Sequence, residues 1–237
     1  MTMQITVNGQ LSLSMLYEQL AIGIPEAIPL MQNTDGLEMM IPEASVQDYM
    51  RICENWERLT KLELEHDEYK KMIIRDVNNY IAVTKKDKVK CKGAFEWEDL
   101  QSKKVASLHK NKSFLIIPKA IYAYFVNGIL PEDFLADNKD VLDYCAGVKS
   151  KGNWKVNSVH IDEKGSFNKV PLQKIVRYFI SNSGVKLVKV NSDGREIQVE
   201  AGQWMQTVMN KIDSTIPLDE YDINFKYYLE EIWKQIE

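Results

Sequence analysis

Gln32-Asn33-Thr34-Asp35-Gly36-Leu37 is the stretch whose residue types and spacing could do chemistry. It lies between two short apolar runs, Ala27 to Met31 and Leu37 to Ile41. The second run alternates: Leu37, Met39 and Ile41 fall on one side, Glu38 and Met40 on the other. Period-two alternation around an Asp-Gly pair predicts a β-hairpin, with Gly36 supplying the positive φ of a tight turn. A carboxylate on such a tip is held by rigid backbone and projects toward a ligand. Asp and Gly also suit a turn that carries no chemistry, so the surroundings must decide. They offer no competing site: His66, His109 and His160 are scattered, with no zinc-like spacing. Cys53, Cys91 and Cys145 are odd in number and far apart, which fits a reducing compartment and no disulfide framework.

Charge supplies the second signal. The chain carries a net −4 over 237 residues, but the distribution is uneven. Between Thr84 and Lys119 ten lysines stand against four acids, whereas residues 1–83 carry six basic and thirteen acidic residues. A basic island in an acidic chain is the footprint expected of a phosphate-backbone contact surface, and a solvated lysine-rich loop is the plain alternative. With 45% hydrophobic and 27% charged residues the composition is that of an ordinary globular protein. No apolar run approaches the ~20 residues of a membrane span, and Met1-Thr2-Met3-Gln4 opens no secretory signal. A cytoplasmic protein with no membrane partner is the expectation.

The elements that must position these residues follow from periodicity. Leu11, Leu13, Met15, Leu16 and Leu20 predict a helix stopped by Gly23 and Pro25. After the hairpin, Ser45 is placed to cap a second helix whose face is Val46, Tyr49, Met50, Cys53, Trp56 and Leu59. Leu62-Glu63-Leu64-Glu65 alternates as a strand does. Tyr69 to Val77, Tyr80 to Thr84 and Val89 to Lys92 read as further strands. This order predicts an α+β body, a small antiparallel sheet backed by two helices. Beyond Gly93 helical patterns dominate: Ile116 to Phe125 around Pro118, Asp133 to Ala136, Val141 to Ala146, Pro171 to Phe179, and Phe225 to Ile236. One hairpin interrupts them, around Ser192-Asp193-Gly194. The change of character places a domain boundary at 97/98, giving regions 1–97 and 98–237.

Taken in order, these segments resemble the C-terminal part of a family B DNA polymerase of the kind found in bacteriophages. Asn8-Gly9-Gln10-Leu11-Ser12-Leu13 with Leu16-Tyr17-Glu18 is similar to the palm helix ahead of the family's second catalytic motif. Gln32-Asn33-Thr34-Asp35-Gly36 resembles that motif, usually Asp-Thr-Asp-Ser. Asn78-Asn79-Tyr80-Ile81-Ala82-Val83 resembles the Lys-x-Tyr element that holds the primer end. Lys90-Cys91-Lys92-Gly93 looks like the Lys-Gly step from palm to thumb. Lys110-Asn111-Lys112-Ser113, Leu172-Gln173-Lys174 and Arg177-Tyr178-Phe179-Ile180-Ser181 resemble thumb segments. Order and spacing hold from about residue 5 to the end.

The resemblance implies a partial palm over 1–97, an antiparallel sheet with two helices, and a mainly helical, duplex-binding thumb over 98–237. Asp35 keeps the place of the indispensable metal ligand. Asn33 and Thr34 flank it as supporting residues; Asn33 replaces an Asp and Gly36 a Ser. Asn78, Tyr80, Lys90, Lys92, Gly93, Lys110 and Lys112 become the primer and DNA contacts, with Asn78 in place of the usual lysine. Two Mg²⁺ ions are the implied cofactors, in a site shared with residues outside this chain. A primer-template duplex and deoxynucleoside triphosphates are the implied partners. The exonuclease domain, the motif with the other catalytic Asp and the fingers lysine would all precede residue 1. A separate N-terminal polymerase half is therefore expected, meeting an apolar face left partly exposed at Leu37, Met39, Ile41 or their neighbours. Glu38 and Glu63 are near Asp35 in sequence and read as solvated strand-face acids. The expected function is DNA-directed DNA polymerase chemistry in DNA replication, incomplete in this chain alone. A non-catalytic DNA-binding relic and a plain α+β interaction module are the alternatives.

Overall fold

A computed structural model describes residues 2–97, 113–161, 165–208 and 216–237. The chain divides into two compact units, Met1–Gly93 and Ala94–Glu237. Both mix helices with antiparallel strands.

The first unit opens with helix α1, Thr2–Gly23, much longer than the segment expected from Leu11. Periodicity begins only where burial begins. Ile5, Val7 and Leu11 are exposed, whereas Leu13, Leu16 and Leu20 turn inward. Strands β1 (Ile28–Gln32) and β2 (Leu37–Met40) form the hairpin, and α2 (Val46–Thr60) follows. Ser45 occupies the N-cap of α2, but its side chain makes no capping bond. The buried residues of α2 are Cys53 and Trp56; Val46, Met50 and Leu59, also expected on that face, are exposed. Trp56 packs with Leu16, Leu20 and Ile24, and its indole N–H donates to the Ser12 carbonyl at 2.8 Å, tying α2 to α1.

Residues 61–68 form no strand despite their alternation. Leu64 packs on the helical core and its N–H donates to a Glu57 carboxylate oxygen at 2.6 Å, so one-sided packing accounts for the pattern. Strands β3 (Tyr69–Asp76), β4 (Asn79–Thr84) and β5 (Val89–Lys92) form an antiparallel meander.

The second unit is not the mainly helical body expected. Among the described residues it has three α-helices and seven strands. The helices are α3 (Ile116–Tyr122), continued by a π-helical turn to Asn127, α4 (Pro131–Asp137) and α5 (Phe225–Ile236). The strands are β6 (Ala146–Lys149), β7 (Lys155–Ile161), β8 (Phe167–Pro171), β9 (Ile175–Ser181), β10 (Lys186–Val190), β11 (Glu196–Gln198) and β12 (Trp204–Val208). They form two antiparallel sheets, in the orders β11-β10-β7-β8 and β12-β9-β6. The helix expected from Pro171 to Phe179 is instead the end of β8 and the central strand β9. Val176 through Ser181 are all buried, so both faces of β9 are covered. A strand buried on both faces reads as a continuous apolar run, which periodicity cannot separate from a buried helix. The stretch Val141–Tyr144 is a 3₁₀ turn leading into β6.

Tyr228 anchors this unit. Its hydroxyl donates to the Tyr144 carbonyl at 2.7 Å and accepts from the Ile180 N–H at 2.8 Å, joining α5 to β9 and to the turn before β6. Asp222 secures the approach to α5, accepting from Ser183, Asn182 and Ser181. These bonds hold its carboxyl down at about 2. Tyr228→Phe leaves a buried donor and a buried acceptor unpaired, at about 1–3 kcal/mol for such a group. It is expected to lower the urea midpoint without changing the slope of the transition. An unchanged midpoint would show that neither bond contributes.

Candidate active site

The Asp35 hairpin is built around a bulge. Ile28 and Pro29 pair with Met40 and Met39, whereas Met31 and Gln32 pair with Glu38 and Leu37. The register slips by one residue at Leu30. A bulge of this kind re-aims the residues beyond it. Met31 is thereby buried with Tyr80 and Ala82 of β4, and with Tyr69, Met72 and Ile74 of β3. On the opposite face Leu37, Met39 and Ile41 pack against the α1–α2 core. These three are partly buried, in keeping with the partly exposed apolar face expected at them or their neighbours. The exposed apolar residues of the hairpin are Ile28, Leu30 and Met40.

The tip is a four-residue loop closed by the Asn33 N–H donating to the Gly36 carbonyl at 3.0 Å. The Asn33 side-chain oxygen accepts from the Asp35 N–H, also at 3.0 Å. Asn33 therefore braces the backbone that carries Asp35. Gly36 does not have the positive φ expected of it. Its lack of a side chain matters for space, since a Cβ there would meet the Asn33 side-chain oxygen at 3.3 Å. Asp35 and Thr34 are exposed. The Asp35 carboxylate makes no hydrogen bond or ion pair among the described residues.

The meander brings the second set of residues to the same side. Tyr80 pairs with Lys92 and Ala82 with Lys90, so these lysines share the sheet face on which Met31 sits. Tyr80 is buried, and its hydroxyl is pushed up first by burial, then by the Glu38 charge; Lys92 opposes, and Asp35 and Asp67 add to the rise. The charged groups of the hairpin and of the sheet thus meet at this phenol. Asn78 lies in the turn between β3 and β4, its N–H donating to Asp76 at 2.8 Å. Gly93 has φ +64°, and a Cβ there would come within 2.2 Å of the Asn78 carbonyl. Glycine is therefore required where β5 ends beside that turn. Asn78, Tyr80, Lys92 and Gly93 form one end of the sheet, with Lys90 further along β5.

Lys110 and Lys112 lie outside the described residues. At the other end of the sheet, Lys85 pairs with Glu68 at 2.6 Å and Lys70 with Asp87. Of the island's lysines at that end, Lys85 is therefore matched by an acid, while Lys86 and Lys88 are exposed.

Sequence reasoning undervalued two groups here. Glu38 is half-buried rather than a solvated acid. Burial raises its carboxyl, with Lys90 opposing and Asp67 adding to the rise. Asp67 accepts a hydrogen bond from the Tyr69 hydroxyl at 3.1 Å. It sits in an irregular segment where no periodicity could signal it. Glu63 is exposed. Among the described residues no three carboxylate, imidazole or thiol groups are placed to hold a metal ion by themselves. The donor the hairpin tip offers to Mg²⁺ is the Asp35 carboxylate, which suits an ion taking one or two carboxylates and completing its shell with phosphate and water.

No family model, curated protein or solved structure matches the chain.

Glu38 gives a test of this electrostatic arrangement. A folded-state pKa above the unfolded one means the folded chain holds the proton longer, so stability falls as pH rises through the carboxyl range. Glu38→Gln is expected to raise the thermal midpoint at pH 7, with the gain vanishing below about pH 4. A lower midpoint at pH 7 would show that its attraction to Lys90 outweighs burial.

Proposed function

We propose that the chain is the palm-and-thumb portion of a family B-like DNA polymerase, supplying one metal-binding carboxylate and the primer-template grip for DNA replication. The observation that carries this reading is the single face shared by the Asp35 hairpin, Tyr80, Lys90 and Lys92. An unpaired carboxylate on a braced tip, a phenol within its field and two cations along the adjoining strand suit a primer terminus beside a metal ion.

In this reading Asp35 holds one Mg²⁺ together with substrate phosphates, and Asn33 fixes the backbone beneath it. Tyr80 orients the primer end, Lys90 and Lys92 contact its phosphates, and Gly93 lets the chain leave the sheet tightly against Asn78. When bound, the metal pair activates the primer hydroxyl and stabilises the leaving pyrophosphate. The second carboxylate and the lysine that grips the triphosphate come from a partner polypeptide bearing the rest of the polymerase. The second unit contributes the remaining duplex contact through a β-rich body.

A second reading, a DNA-binding relic without chemistry, rests on Asn33 and Gly36 standing where the family pattern has Asp and Ser. Primer extension separates the two. The purified chain with Mg²⁺ and deoxynucleoside triphosphates is expected to be inactive alone, because positioning and electrostatics carry most of phosphoryl-transfer catalysis. Adding a polypeptide with the exonuclease, fingers and other palm motifs is expected to give extension, and Asp35→Asn to abolish it while the fold persists. Extension by the chain alone, or by the reconstituted Asp35→Asn variant, would contradict the assignment. No extension from any reconstitution would favour the relic.

A further inference from the structure

A groove of about 790 Å³ opens in the second unit between α4, α5 and the 3₁₀ turn Leu218–Glu220 with the two residues before it. Its walls are largely apolar: Leu135 and Ala136 from α4, Ile216 and Leu218 from the approach to α5, Phe225 and Leu229 from α5 itself. The sequence builds this face because α5 is apolar on two sides. Tyr228 and Ile232 are buried in the unit, whereas Phe225 and Leu229, one turn apart, line the groove. Hydrogen bonds fix the walls. The Trp233 indole donates to a Glu132 carboxylate oxygen at 3.0 Å and joins α5 to α4. The Tyr144 hydroxyl donates to the Leu135 carbonyl at 3.2 Å, and the Tyr144 ring packs edge-on against Phe225. Ile216 and Phe225 nevertheless stay 41% and 38% exposed. The volume lies within the roughly 300–1,000 Å³ of ordinary ligand sites.

Charge decides which ligand suits the groove. Residues 131–139 and 216–237 carry nine acids against three lysines, in a chain whose net charge is only −4. The three lysines are engaged: Lys139 donates to the Ala136 carbonyl at 2.6 Å, Lys226 lies 3.8 Å from Glu230, and Lys234 pairs with Glu231. Asp133, Asp137, Asp219 and Glu220 are exposed, and their carboxylates make no hydrogen bond or ion pair among the described residues. An acidic rim repels phosphate, in nucleic acid and in anionic lipid alike, and attracts cations. An apolar groove walled by helices takes the apolar stripe of another helix, whose side chains recur at i, i+3, i+4 and i+7.

We propose that this groove docks a basic amphipathic helix of a partner protein. Its apolar stripe rests on Ile216, Phe225 and Leu229, and its lysines or arginines meet the four unpaired carboxylates. Two of those carboxylates belong to α4 and two to the 3₁₀ turn, on separate walls of the groove. Several cations spaced along a helix can answer all four, which a small amine with a single charge cannot. The assignment does not rest on the polymerase reading, since it invokes neither metal nor nucleic acid.

The test uses the whole chain and a fluorescein-labelled peptide of about 14 residues, roughly four helical turns, with leucines at the stripe positions and lysines elsewhere. A Leu/Glu peptide of the same pattern and a Leu/Lys peptide of scrambled order are the controls. Anisotropy is expected to show saturable binding of the patterned Leu/Lys peptide at a single site, weakening as salt rises from about 50 to 200 mM, and no binding of either control. The variant Asp133→Asn, Asp137→Asn, Asp219→Asn, Glu220→Gln preserves shape at exposed positions and is expected to weaken binding about tenfold or more. Ala136→Gln, also at an exposed position, intrudes on the groove and is expected to weaken binding while the salt dependence is kept. Both variants are expected to melt with the unaltered chain. Unaltered affinity in either variant, equal binding of the scrambled peptide, or no binding by the unaltered chain overturns the proposal. Displacement of the peptide by an equimolar alkylamine would assign the groove to small cations and overturn it too.

Discussion

The first unit depends on one irregularity, the slip at Leu30 that turns Met31 onto β4. Without it the hairpin would present a regular alternation, and its only apolar anchor would be the helical core under Leu37, Met39 and Ile41. With it, the same two short strands are held on both faces, by the helices on one side and by Tyr80 and Ala82 on the other. Burial of a methionine side chain contributes about 1.5–3 kcal/mol, which helps hold the hairpin against β4. A bulge beside a candidate site is also where such features concentrate, because they aim a side chain at the cost of a regular ladder.

The charges on this face are arranged at some expense to stability. Glu38 is half-buried, which disfavours its ionisation, and the Asp67 charge adds to that, while Lys90 only partly offsets it. A sheet face with only a structural role would gain by replacing Glu38 with a neutral group. Acids and the cations Lys90 and Lys92 on one face would be better balanced when a cation and phosphates bind together. The opposite end of the meander is built differently. Lys85 with Glu68 and Lys70 with Asp87 are exposed pairs that contribute little energy. Of the lysine island's residues at that end, Lys85 is paired and Lys86 and Lys88 are exposed.

How much was legible in the sequence depended on local spacing and on the turn residues that bound each segment. The Asp35 hairpin, the β3–β4–β5 meander and the β10–β11 hairpin were readable because turn residues punctuate them, even though β4 is buried on both faces, and α2 and α5 because their apolar residues recur at helical spacing. Strand β9 buries both faces, so its apolar residues at 172, 175, 176 and 179 mimicked a helix and pulled the whole second unit toward a helical reading. Asp35 was identifiable because turn chemistry surrounds it, although Gly36 serves by leaving room for Asn33 rather than by adopting positive φ. Gly93 was named only through a resemblance, and its physical reason, the 2.2 Å approach to Asn78, is a tertiary fact. Asp67 had no local signature, because it lies in an irregular segment and the group it acts on, Glu38, is distant in sequence.

The central claim is that Asp35 binds a divalent cation beside Tyr80. Paramagnetic broadening by Mn²⁺, titrated into the isotopically labelled chain with primer-template present, tests it without requiring turnover. Broadening is expected to concentrate on the backbone amides from Asn33 to Glu38 and on those of Tyr80 and Lys92, and to disappear in Asp35→Asn. Broadening that leaves the hairpin untouched, or that persists undiminished in Asp35→Asn, would contradict the account.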